Sequence, residues 1–465
     1  MKSILILFLT ALAVLFTGLT GRRAWLRTIT LVGVALALGI TMLDIWQGDA
    51  LGLNTRYASM FVFDRFALAF SATILTTLVL LVGLSGWGFR QLQETLGDNY
   101  GLLLFSACGA LVMVSFTNMT MLFLGIEILS IPLYVLAGSR RNDPASNEAA
   151  LKYFIMGAFA TGIILYGIAL VYGATGQFDV YRIAEKVAAS DGSRSMLHLG
   201  LLVIIIGLGF KISAVPFHFW APDVYQGSPT LITAFMATVV KTAGFAAFFR
   251  LFSTAFSDLS AFWGPAVAAM SAITMILANT TALFQQDFKR MMAYSSIAHA
   301  GYMLMGILSI NQTDTGGQAI LYYTLVYSVS TAVAFGVYML VSEQNADRSL
   351  EAFRGLGQKH PLLAALMTLA LLTLAGIPPT AGFFGKYMLF VAIFDQYPYL
   401  VVIAVVSAAI SIYYYFKVII EMYFTREDNA YSVQMPRGFQ WVMWLGVVLL
   451  AVWSIWPGQI LGFRF

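Results

Sequence analysis

The sequence predicts an all-α polytopic membrane protein of about fourteen transmembrane helices, with two inverted five-helix repeats and discontinuous helices 7 and 12. Three observations carry this. Of the 465 residues, 60% are hydrophobic and only 10% are charged, against about 25% charged in a soluble globular chain. Fourteen apolar stretches approach the length of about 20 residues that a bilayer crossing needs. Two of the stretches are interrupted by proline and glycine beside a lysine.

Taken in order, the spans are approximately 3–20, 28–46, 66–87, 100–117, 119–138, 149–172, 197–221, 229–251, 259–282, 291–310, 319–342, 361–392, 397–423 and 438–456. The first has the look of a signal peptide; because the numbering begins at Met1 it is read as a retained membrane helix. Spans 4 and 5 are joined by only a few residues. The longest polar connections, 47–65, 173–196 and 343–360, are too short to be domains. Span 7 carries Lys211, then Pro216 and Pro222, and Lys241 stands about halfway along span 8. Span 12 is too long for one simple crossing; its middle, residues 376–385, is half glycine and proline, and Lys386 follows at once. Broken helices at membrane depth survive only where protein or a water-filled cavity surrounds them. Paired interruptions five spans apart point to the site of an inverted-repeat transporter, since an odd number of crossings flips the second copy. The units are then 100–251 and 252–424, preceded by a three-helix segment, 1–99, and followed by a C-terminal helix, 425–465.

Orientation follows the lysine and arginine count. One set of loops carries Arg22, Arg23, Arg27, Arg90, Arg140, Arg141, Lys289, Arg290, Arg348, Arg354, Lys359, Arg426 and Arg437. The other set, with the termini, carries Lys2, Arg56, Arg65, Arg182, Lys186, Arg194, Arg250 and Arg464. The first set is the richer, which places it in the cytoplasm and both termini on the outer side. The QQDFKR stretch around Asp287, Lys289 and Arg290 is read as a solvated loop.

Five basic residues remain inside spans, namely Lys152, Lys211, Lys241, Lys386 and Lys417, and all are lysines. A buried lysine can release its proton, whereas arginine effectively never does. Glu127 is the acid near the middle of span 5, and intramembrane acids are functional by default. These residues point to an ion pathway. Lys152 has Glu148 one turn back and Lys417 has Glu421 one turn ahead, so each also fits a plain i,i+4 pair. His299 has Ser295 and Ser296 one turn away, and histidine as a residue type can relay protons; a satisfied core histidine fits equally. His218 follows the break in span 7. One cysteine, Cys108, and scattered histidines offer no cluster for zinc or iron–sulfur chemistry. Any redox cofactor is therefore expected on other chains.

Three stretches, FKISAVPFHFWAPDVYQGSPT, DFKRMMAYSSIAHAGY and LAGIPPTAGFFGK, resemble the antiporter-like proton-translocating membrane subunits of respiratory complex I, NADH–quinone oxidoreductase. The likeness covers nearly the whole chain and is strongest over 100–420. It implies fourteen helices with two inverted five-helix repeats. It also implies a proton pathway from an acid on helix 5 through lysines on helices 7 and 8 to an ionisable residue on helix 12. Those positions match Glu127, Lys211, Lys241 and Lys386, with His299 and Lys152 as further candidates. Lysine rather than glutamate at 386, and a chain that stops soon after span 14, set this sequence apart from two other branches of the family. Flavin, iron–sulfur clusters and quinone are expected on partner subunits of the complex, neighbouring antiporter-like subunits among them, in a bacterial inner membrane. The alternatives are a subunit of a cation/proton antiporter or of a hydrogenase-linked membrane complex.

Overall fold

The computed structural model describes residues 1–47, 59–189, 194–311, 315–344, 349–425 and 435–458, and among these it is nearly all helix. Each of the fourteen expected spans is present. They are Lys2–Leu19, Arg23–Gln47, Arg65–Gly88, Leu96–Ser115, Met119–Ala137, Pro144–Thr175, a broken seventh, Thr230–Thr254, Ser260–Ala282, Phe288–Leu308, Gly316–Gln344, a broken twelfth, Pro398–Phe424 and Arg437–Ile455. Span 7 is Arg194–Lys211 followed by Trp220–Gly227, and span 12 is Pro361–Ala375 followed by Ala381–Ile393. The connection after span 6 holds a helix that the hydropathy pattern does not announce, Val180–Ala188, started by Asp179. Of the loop basic residues counted above, Arg56, Arg348, Arg426 and Arg464 lie outside the described residues.

Short polar side chains start the helices. Asp64, Asn118, Asp143 and Asp287 each accept a backbone N–H in the first turn of spans 3, 5, 6 and 10, satisfying donors that the helix itself leaves free. Span 6 begins with Pro144 and stops at Gly176, whose φ of 68° only glycine adopts without steric cost.

Burial sorts the spans. The apolar windows of spans 8 and 11 are wholly buried, whereas in those of spans 1, 2 and 14 only about a third or fewer of the residues are buried. Spans 8 and 11 form the centre, and the outer spans turn residues such as Phe159, Val402 and Trp441 outward, as lipid contact requires. Spans 4 and 5 approach closely, because a Cβ on Gly109 would stand 2.3 Å from the Leu129 nitrogen.

Both breaks satisfy their freed backbone. In span 7 the Trp220 indole donates to the Phe210 carbonyl (3.0 Å), and the Val215 N–H donates to Thr274 Oγ1 (2.9 Å). In span 12 the Gly376 and Ile377 N–H groups return to the Leu372 carbonyl (3.0 and 3.2 Å). Local features recur between the halves. Each break has one left-handed residue three positions before a proline: Ser213 (φ 60°) before Pro216, and Gly376 (φ 78°) before Pro379. The N-cap of span 5, Asn118, bridges Asp179 after span 6, and the N-cap of span 10, Asp287, bridges Ser349 after span 11.

Two basic residues depart from their sequence assignment. Arg250, counted with the loops, lies inside span 8, 5% exposed, and grips both oxygens of Asp64 (2.6 and 3.1 Å) over the Phe66 ring. Lys289, expected in a solvated loop, is buried and donates to the Ser228 carbonyl. Both partners are remote in sequence, so neither contact shows in a local pattern.

Gly109→Val forces a branched side chain into the backbone of span 5. Overpacking costs about 1–3 kcal/mol, occasionally more, so the purified chain in detergent melts at a lower temperature. Gly162→Val has nothing within 4 Å of its new Cβ and leaves the melting temperature unchanged.

Candidate functional site

Span 7 ends its first half-helix on Lys211, which is 4% exposed. Its ammonium donates to Ser130 Oγ on span 5 at 2.9 Å. Glu127 stands one turn before Ser130 on the same helix, half-buried. It lies close enough to act electrostatically on Lys211, but the ammonium's hydrogen bond goes to the serine. The structure thus brings the two together through a neutral hydroxyl, which the sequence reading did not single out.

Lys241 sits at the centre of buried span 8, 2% exposed, directly after a π-helical turn over Met236–Val240. Such π-bulges are frequent at functional positions. Its ammonium donates to Ser296 on span 10, at 2.5 Å to the hydroxyl and also to the carbonyl. Tyr225, on the second half of span 7, and Tyr327, on span 11, face the same Ser296.

From there a polar line runs on through the second half of the chain. Ser295 Oγ meets the Tyr415 hydroxyl at 2.5 Å. Tyr415 meets His299 Nε2 at 3.2 Å, and Tyr323 meets His299 Nδ1 at 2.7 Å. His299 is buried and lies within electrostatic reach of both Lys386 and Lys241. Its ring is 6.0 Å from that of Tyr302, and Lys386 Nζ lies 4.9 Å from the Tyr302 ring. Lys386 also donates to the Ala375 carbonyl at 2.7 Å, the end of the first half of span 12. An ammonium at a helix C-terminus is stabilised by the helix dipole. His299 therefore stands between two buried lysines, with hydroxyls on both ring nitrogens. Such an arrangement can pass a proton.

Lys152 is not on this line. Its side chain is 37% exposed and pairs with Glu148 and Asp223, both at 2.6 Å. Lys417 donates to Gln286 at 3.1 Å, and its helical neighbour Glu421 takes Arg354 instead (3.1 Å). His218 is buried in the break of span 7. The linking residues Ser130, Tyr302, Tyr323 and Tyr415 escaped the sequence reading. The signal available was a set of tyrosines deep inside apolar spans, where a hydroxyl needs a partner. Among the described residues no group of three or more His, Cys, Asp or Glu is placed to hold a metal ion.

Residues 116–411 match the family described as NADH:quinone oxidoreductase/Mrp antiporter, TM. The chain is 41% identical over 433 residues to NADH-quinone oxidoreductase subunit N of Cytophaga hutchinsonii, covering 92% of each. It is 37% identical over 459 residues to the same subunit of Flavobacterium psychrophilum, covering 98% of this chain and 99% of the relative. Its structure is similar to a chain of respiratory complex I from Thermus thermophilus, with a TM-score of 0.81 and 35% identity, over 99% of this chain and 98% of that one. A chain of the Mrp complex from Dietzia sp. shares the fold at a TM-score of 0.84 and 18% identity, over 100% of this chain and 96% of that one.

Among the described residues Lys241 has no counter-ion, so its burial carries a desolvation cost that its two hydrogen bonds to Ser296 offset only in part. Replacing buried charge by an apolar side chain of similar volume is often neutral or stabilising. The Lys241→Met chain is expected to melt in detergent at or above the native temperature. A clear drop would make Lys241 a structural cation.

Proposed function

The chain belongs to the NADH:quinone oxidoreductase/Mrp antiporter transmembrane family, and from that premise we propose that it is the proton-translocating membrane subunit of a complex I-type NADH:quinone oxidoreductase. The observation that carries this reading is the line of buried lysines, each held by a neutral oxygen, with Ser296 on Lys241, its neighbour Ser295 hydrogen-bonded through Tyr415 to His299, and the Tyr302 ring between His299 and Lys386. The chain itself does no redox chemistry. Flavin, iron–sulfur clusters and quinone belong to partner subunits, among which neighbouring antiporter-like subunits pack against this one in a bacterial inner membrane. Residues 100–251 and 252–424 are the two inverted units, flanked by 1–99 and 425–465. The matching breaks and matching N-cap bridges support that division.

Quinone reduction elsewhere perturbs the charge near Glu127. With the carboxylate close, the Lys211 charge is stabilised; with it withdrawn, the buried ammonium carries its desolvation cost alone and gives up a proton. Lys241 receives the proton and the serine, tyrosine and histidine line delivers it to Lys386. Lysine suits every station because it can exist neutral, which arginine cannot.

Glu127→Gln is expected to leave the complex assembled while lowering quinone-linked turnover and proton uptake by inverted vesicles together. NADH oxidation by an artificial acceptor that bypasses quinone is spared. Adding Lys211→Ala costs less than the two single losses combined, because residues acting as one unit are not additive. Strict additivity, or native pumping by Glu127→Gln, removes this pair from the mechanism. Co-purification with flavin and iron–sulfur subunits separates this reading from a stand-alone antiporter.

The charge count places both termini on the outer side. Asn142→Cys, in the exposed turn between spans 5 and 6, is then labelled by impermeant thiol reagents only from the cytoplasmic face. Labelling from the outer face reverses the orientation.

A further inference from the structure

We propose that Asp223 is a positioning residue: its carboxylate clamps the second half of broken span 7 between spans 6 and 10, and Lys152 serves that clamp rather than carrying protons. The inference rests on the relay described above and concerns what holds one of its parts in place. The half-helix Trp220–Gly227 has only eight residues and no side-chain cap at its start. A helix this short does not hold itself in place, so its neighbours must.

Five contacts do so. Asp223 Oδ2 accepts from Lys152 of span 6 at 2.6 Å, and Oδ1 accepts from Arg290 of span 10 at 2.7 Å. Arg290 also reaches Gln226 at 3.2 Å, and its neighbour Lys289 donates to the Ser228 carbonyl just past the half-helix. On the other side Gly227 lies so close to span 6 that a Cβ would come within 2.3 Å of the Ala145 carbonyl. Two residues beyond Asp223, buried Tyr225 faces Ser296, which holds Lys241. The seat of this half-helix therefore sets the geometry around Lys241.

Lys152 has the surroundings of a structural cation. Span 6 has 32 residues and is about 48 Å long, well over the roughly 30 Å of a hydrocarbon core. Lys152, in its third turn, has a side chain 37% exposed with two carboxylates at 2.6 Å. Lys211, Lys241 and Lys386 are buried on neutral oxygens instead. Exposed pairs taken singly are worth little. Here both oxygens of one carboxylate are used by two different helices, so the consequence is placement rather than stability.

The test uses the assembled complex in native membranes, with four variants. Lys152→Arg keeps the charge and reach but cannot deliver a proton, and is expected to retain more than half of the proton uptake and turnover. Lys152→Met and Asp223→Asn each lose severalfold in both, and amide hydrogen exchange over residues 220–227 becomes faster in both but not in Lys152→Arg. Lys152→Arg failing as deeply as Lys152→Met overturns the proposal and makes Lys152 a proton carrier. Unchanged exchange in Asp223→Asn overturns it as well. The fourth variant, Lys241→Arg, addresses the relay alone: native pumping there sinks the relay, while the exchange measurement still decides the clamp.

Discussion

The structure is organised by the cost of keeping ammonium groups away from water. A lysine at the bilayer centre costs about 2.5–3.5 kcal/mol on insertion scales, and this chain buries Lys211, Lys241 and Lys386 within spans, besides Lys289 at the start of span 10. How each is held separates function from architecture. Arg250 grips Asp64, and Lys2 pairs with buried Asp44 at 2.8 Å; these cations have a fixed counter-charge and an outlet at the edge. Lys211, Lys241 and Lys386 bind Ser130, Ser296 and the Ala375 carbonyl. Among the described residues none of the three sits in an ion pair. A neutral oxygen accepts from an ammonium and can equally donate or stay silent when the proton leaves, if it is a hydroxyl. A carboxylate would fix the charge in place.

The breaks in spans 7 and 12 follow from the same requirement. A helix interrupted in the membrane exposes carbonyls at its C-terminal end, where the macrodipole favours a cation. Lys211 is the last residue of one such half-helix, and Lys386 reaches back across its break to the last residue of the other. In sequence the two arrangements look unlike, because one lysine precedes its proline and the other follows. In space Lys386 donates to the last carbonyl of one half-helix, and Lys211, itself the last residue of the other, reaches across to Ser130 on span 5. The break is thus a means of placing a half-helix C-terminus near a charge without adding an ionised acid.

The spans, both breaks and the five lysines were legible in the sequence because each leaves a local mark: apolar length, proline with glycine, or a charge where none is affordable. What stayed hidden was tertiary. Asp64 and Arg250 are 186 residues apart, and the arginine near the end of its span reads as a loop residue until that partner is known. Tyr415 and Tyr323 look like ordinary interfacial aromatics, yet they meet at His299 from spans 13 and 11. The Val180–Ala188 helix is too short and too polar to register as a crossing, and tertiary contacts hold it. Lysine count alone also grouped Lys152 with the central three, although its surroundings are opposite to theirs.

The line of polar groups is uneven, and the unevenness has a consequence. From Lys241 to His299 hydroxyls follow one another at short range, and the Tyr302 ring lies between His299 and Lys386. Between Lys211 and Lys241 no side-chain hydrogen bond joins the two lysines among the described residues, and the nearby contact is apolar: Ile212, next to Lys211, packs against Gly244, one turn beyond Lys241. A continuous wire across the whole chain would leak protons down their gradient. On the proposed relay, an apolar gap between Lys211, which answers to Glu127, and Lys241 breaks the wire inside the first proposed unit, 100–251. The half-helix that carries Tyr225 reaches Lys241 through Ser296, so moving it by a small amount alters the approach to Lys241. On the relay proposed above, control therefore belongs at the first transfer.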